Sequence, residues 1–117
     1  MNGRYLLDTN IVIALFGEDE EVFKKVQEAE ELYHPAIVIG ELYYGAFNST
    51  RKAKNLQKID EYRDEVAVLN SDDHTARFYG EIKAGLKKKG TPIPENDIWI
   101  SAILVNFRRS RISVSIV

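Results

Sequence analysis

The sequence predicts an α/β fold, a sandwich of helices around a mostly parallel central sheet. Short apolar runs at Arg4–Leu7 and Val66–Leu69 stop abruptly at turn-forming polar residues, as buried strands do. Longer segments repeat their apolar residues at helical spacing. The two kinds of segment alternate, which is the order that parallel strands joined by helical crossovers require.

Arg4-Tyr5-Leu6-Leu7 reads as a buried strand ended by Asp8-Thr9-Asn10, residues that favour turns and helix caps. Ile11–Phe16 follows as a short helix closed by Gly17, and Asp19–Leu32 as a second, with Val22, Phe23, Val26 and Ala29 on one face. Tyr33–Ile37 contains Pro35, which suits an edge or entry position, and Val38–Phe47 is the next helical run, with Glu41 inside it. Ala53–Val66 sets Leu56, Ile59, Tyr62 and Val66 on one face and charges between them, the pattern of a surface helix. Val66–Leu69 reads as an interior parallel strand, and Asp72–Lys89 as a long amphipathic helix ended by Gly90. A loop over Gly90–Pro94 leads to an acidic helix start, Glu95-Asn96-Asp97, and the helix runs to Phe107. Ile112–Val117 alternates apolar residues with serine, as a terminal strand would.

A chain of 117 residues has room for one core, so a single domain over 1–117 is expected. At 44% apolar and 29% charged residues it is an ordinary globular composition. The formal net charge of −2 offers no bulk positive field, so any contact with RNA must come from local basic patches. The absence of cysteine excludes disulfides, thiolate metal sites and Cys nucleophiles, and it fits a reducing cytoplasm. Ile11–Phe16 is too short to span a bilayer, which gives the expectation of a soluble, cytoplasmic protein with no membrane contact.

Three acids stand out. Asp8 sits at the carboxyl end of a predicted strand, where α/β sheets bind ligands, although a plain N-cap explains it equally well. Glu41 interrupts an apolar helix pattern between Gly40 and Leu42, so it is either exposed or in need of a partner or an ion. Asp97 opens a helix, where the dipole alone favours a carboxylate. Together the three supply what a hard divalent cation requires without any Cys or His.

Leu6-Leu7-Asp8-Thr9-Asn10, Gly40-Glu41-Leu42-Tyr43-Tyr44-Gly45 and Ile93–Ala102 resemble, in order and separation, the successive motifs of the PIN-domain family, VapC-like toxins in particular. The resemblance extends from about Arg4 to about Ala102. It implies a PIN-like α/β/α sandwich and endoribonuclease activity. It also implies that Asp8, Glu41 and Asp97 bind Mg²⁺ or Mn²⁺, with Thr9 or Asn10 orienting the first acid or a water. The partners it implies are RNA, a second copy of the chain, and a cognate antitoxin whose segment wraps the cleft.

The end of the chain departs from that pattern. The family usually continues with a strand and a Thr-x-Asp or Thr-Asn-Asn type segment, whereas no Asp or Glu follows Asp97 here. The fourth acidic position is unassigned, and the C-terminal end reads as atypical or truncated. Three acids suit one ion with waters better than a pair of ions. The alternative to a nuclease is a catalytically weakened PIN-fold protein that only binds an antitoxin or RNA.

His34 and His74 have no metal-ligand spacing, and no G-x-S-x-G turn is present for a serine nucleophile. Trp99, Tyr43, Tyr44 and Phe47 read as core or interface. Among the basic clusters, Lys87-Lys88-Lys89, Arg51-Lys52-Lys54 and Arg108-Arg109-Arg111, the last is the candidate for RNA phosphates, because it follows the Asp97 helix.

Overall fold

A computed structural model describes residues 3–116. In chain order these form β1 (Arg4–Leu6), α1 (Thr9–Phe16), α2 (Glu20–Glu28), β2 (Glu31–Pro35) and α3 (Ala36–Phe47). The order continues with α4 (Lys52–Glu65), β3 (Val68–Leu69), α5 (Asp73–Lys89), α6 (Glu95–Arg109) and β4 (Ser115–Ile116). The strands form a parallel sheet in the order β3-β2-β1-β4, flanked by the helices. The α/β class and the parallel sheet are those the sequence predicts.

β1 is the centre of the core. Leu6 is 0% exposed, and Leu7, Val12 and Val38 are buried beside it, joined by Ile59 of α4, Ile100 and Ile103 of α6, and Val114. Each such side chain contributes about 1.5–3 kcal/mol through burial. The order of strands reverses at β1, with β2 and β3 on one side and β4 on the other. Connections therefore diverge at the carboxyl end of β1, which opens a crevice there.

Several sequence expectations shift. The helix expected over Asp19–Leu32 stops at Glu28, because Ala29 turns extended (ψ 140°) and the Glu30 N–H bonds the Gly3 carbonyl at 2.8 Å. Leu32 then lies in β2, opposite Tyr5. The segment around Pro35 is not an edge: β2 lies between β1 and β3. Pro35 is tolerated because it ends the strand and takes the N-cap position of α3, so its missing N–H falls at the end of the ladder. Val68–Leu69 is an edge strand instead of an interior one. Both residues pack against the core, so this edge is as apolar as an interior strand.

The first helix closes one residue later than Gly17 suggests. Gly17 keeps a negative φ, and Glu18 takes the left-handed conformation (φ 60°). The N–H groups of Glu18 and Asp19 bond the carbonyls of Leu15 and Ala14, a Schellman closure without glycine at the left-handed position. α5 ends in the same motif with Gly90 (φ 66°) in that position, as expected. The terminal strand forms over Ser115–Ile116 and pairs with β1, and Val117 lies outside the described residues.

α5 and α6 run antiparallel along one another. Tyr79 and Trp99 stack at 4.0 Å with planes 10° apart, and the Asn106 amide donates to the Thr75 hydroxyl at 3.3 Å at the other end. Trp99 thus serves packing, as the sequence suggests. The pairing fixes where α6 begins, and with it the position of Asp97.

Candidate functional site

Asp8, Thr9, Asn10, Glu41, Glu95, Asn96 and Asp97, with Pro94, line one cleft of about 420 Å³. Segments from three distant parts of the chain meet there: the end of β1, the middle of α3 and the start of α6. All three acids singled out in the sequence line this cleft, and both supporting residues with them.

Asp8 is the N-cap residue of α1, yet its side chain makes no capping hydrogen bond. The bland explanation for this acid therefore fails, and its carboxylate is available to the cleft. Glu41 is half-buried and accepts a hydrogen bond from the Thr9 hydroxyl, Oγ1 to Oε1 at 2.9 Å. The partner that the sequence could not name is thus Thr9, which orients the second acid. Glu41 also borders a second depression, lined by Ile37, Gly40, Tyr44 and Asn96. Asp97 lies in the first turn of α6, whose N-cap is Pro94. Pro94 has no side-chain acceptor to offer, and the free N–H groups and dipole of that turn favour negative charge.

Glu95 is the residue that sequence reasoning missed. It sits one residue after Pro94 and lines the same cleft, while Lys83 Nζ pairs with its Oε2 at 3.2 Å and the Tyr79 hydroxyl donates to its Oε1. Its helix-start position looked like ordinary capping preference. The partners from α5 that hold it are visible only once the two helices are packed.

The donor set is oxygen throughout, carboxylates with hydroxyl and amide groups beside them, and this chemistry fits Mg²⁺ or Mn²⁺. Among the described residues no three Asp, Glu, His or Cys side chains are gathered tightly enough to hold an ion. The acids share a cleft without forming a closed ligand sphere.

The histidines stand apart from the cleft. His34 is 6% exposed in β2, its Nδ1 has no hydrogen-bond partner among the described residues, and burial pushes its pKa down. His74 is exposed at the start of α5. Arg108, Arg109 and Arg111 do not line the cleft either. Eleven residues of helix at 1.5 Å each put Arg108 about 16 Å along the axis from Asp97. Arg109 instead stacks over Phe78, 5.6 Å from the ring centre, and Arg111 is the left-handed residue (φ 62°) that closes α6. Following Asp97 in sequence carries these arginines to the opposite end of the helix.

A parallel sheet whose strand order reverses at β1, with acids from three segments converging beyond that strand, defines an α/β domain with an acidic crevice. The chain belongs to the PIN-domain family, whose pattern matches residues 5–105. Within it the chain is similar to VapC ribonucleases. Ribonuclease VapC2 of Haemophilus influenzae is 37% identical over 101 residues, covering 85% of this chain and 76% of that protein. The tRNA(fMet)-specific endonuclease VapC of Salmonella typhimurium is 29% identical over 100 residues, covering 84% of this chain and 76% of its own. Among solved structures, VapBC-1 from nontypeable Haemophilus influenzae has a TM-score of 0.79 at 26% identity, over 97% of this chain and 84% of the other. VapBC2 from Rickettsia felis, bound to a DNA fragment from its promoter, has a TM-score of 0.79 at 22% identity, over 97% of both chains. No helix among the described residues is long and apolar enough to cross a membrane.

Proposed function

We propose that this PIN domain is a metal-dependent endoribonuclease, the toxin of a toxin–antitoxin pair. The observation that carries the reading is the cleft in which Asp8, Glu41 and Asp97 meet with Thr9 bonded to Glu41. Relatives named ribonuclease VapC support it. Asp8, Glu41 and Asp97 would hold Mg²⁺ or Mn²⁺. Such an ion would supply a water activated for attack and offset the charge that develops on the phosphate.

The protein's own contribution is positional. Thr9 holds one Glu41 oxygen while the other has no hydrogen-bond partner among the described residues, the uncapped Asp8 presents its carboxylate from the end of β1, and Asp97 rides on a helix packed against α5. Lys83 and Tyr79 hold Glu95 against α5. Hydrolysis adds water across a P–O bond, leaving the phosphate on one RNA product and a hydroxyl on the other. No Cys, Ser or His nucleophile is required, and neither histidine lines the cleft.

An antitoxin partner is supported by the comparisons. A structure of similar fold belongs to the VapBC family of toxin–antitoxin systems, and we extend an antitoxin partner to this chain; a homodimer is proposed from the family resemblance alone. An apolar groove of about 230 Å³, lined by Ile13, Phe16, Leu42 and Ile59 and bordered by Glu41, suits an antitoxin segment that covers the acids. The spacing of the acids, no three of which are gathered tightly enough among the described residues to hold an ion, favours a second reading in which the protein binds antitoxin or RNA without cleaving.

Incubation of a mixed RNA pool with the purified protein separates the two readings. Cleavage should require added Mg²⁺ or Mn²⁺ and disappear in Asp8→Asn, with circular dichroism and melting temperature unchanged. A folded protein that binds an antitoxin and cleaves no RNA at any metal concentration would establish the binding-only reading.

A further inference from the structure

Among the described residues the cleft is lined by four carboxylates and no cation, so a polyanion cannot be held there by these residues alone. The three C-terminal arginines are at the wrong end of α6 to help. Adjoining the cleft, however, is a groove of about 400 Å³ between the last turns of α5, the loop after Gly90 and the start of α6. Glu95 borders both. The groove carries Lys83 and Lys87, and Leu86, Ile93 and Ile98 give it an apolar floor. Ile93 is 36% exposed.

We infer that this groove seats the RNA strand next to the linkage being cleaved, with Lys87 and Lys83 on its phosphates and a base or sugar against Leu86, Ile93 and Ile98. Charge complementarity and continuity with the acidic cleft select a nucleic-acid strand as the occupant. Lys87 has no ion-pair partner among the described residues, so its charge is available. Lys83 is paired with Glu95, but both side chains are more than half exposed. Such a pair is weak and yields readily to a phosphate. Gly90 makes the groove possible: its left-handed backbone ends α5 sharply, and Thr91–Pro94 then turns back along the helix instead of continuing it. Lys88 and Lys89 share the same last turn but do not line the groove, which makes them a charge-matched control.

The inference rests on the nuclease reading for its substrate, and the experiment keeps the two apart. Binding of a fluorescein-labelled, mixed-sequence single-stranded RNA to the full chain is followed by anisotropy across a salt titration. In parallel, cleavage of the same RNA is measured with Mn²⁺. Lys83→Gln/Lys87→Gln should weaken binding about tenfold at low salt. It should also flatten the slope of log K against log salt by about 1.4, from about 0.7 for each phosphate contact on a single strand. Lys88→Gln/Lys89→Gln and Arg108→Gln/Arg109→Gln should leave the slope near that of the unaltered protein. Glu95→Gln, which frees Lys83, should tighten binding.

Equal losses from both lysine pairs would replace the groove with a general basic end of α5, and a slope lost only with the arginines would move the RNA path to the far end of α6. Absence of RNA binding by the unaltered chain would also overturn the inference. If the Lys83/Lys87 pair alone changes oligomeric state and not the slope, the groove is a protein interface and the inference fails. Groove-dependent binding without any cleavage would sustain it while removing the nuclease reading.

Discussion

Replacing Thr9 with valine removes one hydroxyl and tests whether Glu41 is positioned or merely present. The bond at issue runs from the Thr9 Oγ1 to the Glu41 Oε1 at 2.9 Å in a partly buried setting. A hydrogen bond to a charged acceptor contributes about 1.5–3 kcal/mol, and the partial exposure places this one at the lower end. About 1.4 kcal/mol corresponds to a factor of ten in an equilibrium constant. Thr9→Val should therefore raise the Mn²⁺ concentration for half-maximal RNA cleavage about tenfold, with the rate at saturating metal changed much less. Thr9 is the first residue of α1, and valine and threonine have similar helix propensities, so the fold is little affected. Thr9→Ser keeps the hydroxyl and should restore most of the metal affinity. A folded Thr9→Val protein with an unaltered metal requirement would refute the argument that this hydroxyl organises Glu41.

Two further outcomes concern the core beneath the site. The Tyr62 hydroxyl is buried with no hydrogen-bond partner among the described residues, and burial pushes its pKa up to about 12. Tyr62→Phe should raise stability by about 1 kcal/mol in urea unfolding, whereas a loss of that size would reveal a partner for the hydroxyl. His34 packs edge-on against Tyr62 at 5.5 Å, and burial alone lowers its pKa below the ordinary 6.5. The unfolded chain therefore takes up the proton first: this contribution to stability is complete above about pH 6.5 and drains away as pH falls toward the folded-state pKa. Melting temperature should decline between about pH 7 and pH 5 and decline less in His34→Leu. The depressed Asp72 carboxyl acts only below its usual 3.8, outside that window.

The sequence made the class and most elements legible, because burial imposes a period. Leu6-Leu7 and the faces of α4 and α5 could be read directly. Strand position could not, since an edge strand packed against the core, as Val68–Leu69 is, carries the same apolar signal as an interior one. The left-handed closure at Glu18 was hidden for a related reason: glycine usually takes that place, and the adjacent Gly17 drew the assignment to itself. For the candidate site, Asp8, Glu41 and Asp97 were recognisable as acids in telling local contexts, and their family resemblance placed them together. The Thr9–Glu41 bond and the hold of Lys83 and Tyr79 on Glu95 join residues 32, 12 and 16 positions apart, and no local pattern encodes them. The arginine cluster shows the converse relation, since nearness to Asp97 in sequence becomes about 16 Å along the helix axis.

The central claim is that Asp8, Glu41 and Asp97 form one metal site from three separate segments. Anomalous diffraction from crystals soaked in Mn²⁺ tests it most directly. The account predicts a single strong peak in the cleft within coordinating reach of all three carboxylates, and its loss in folded Asp8→Asn crystals. Mn²⁺ density elsewhere on a protein that cleaves RNA, with the cleft empty at a saturating concentration, would contradict it.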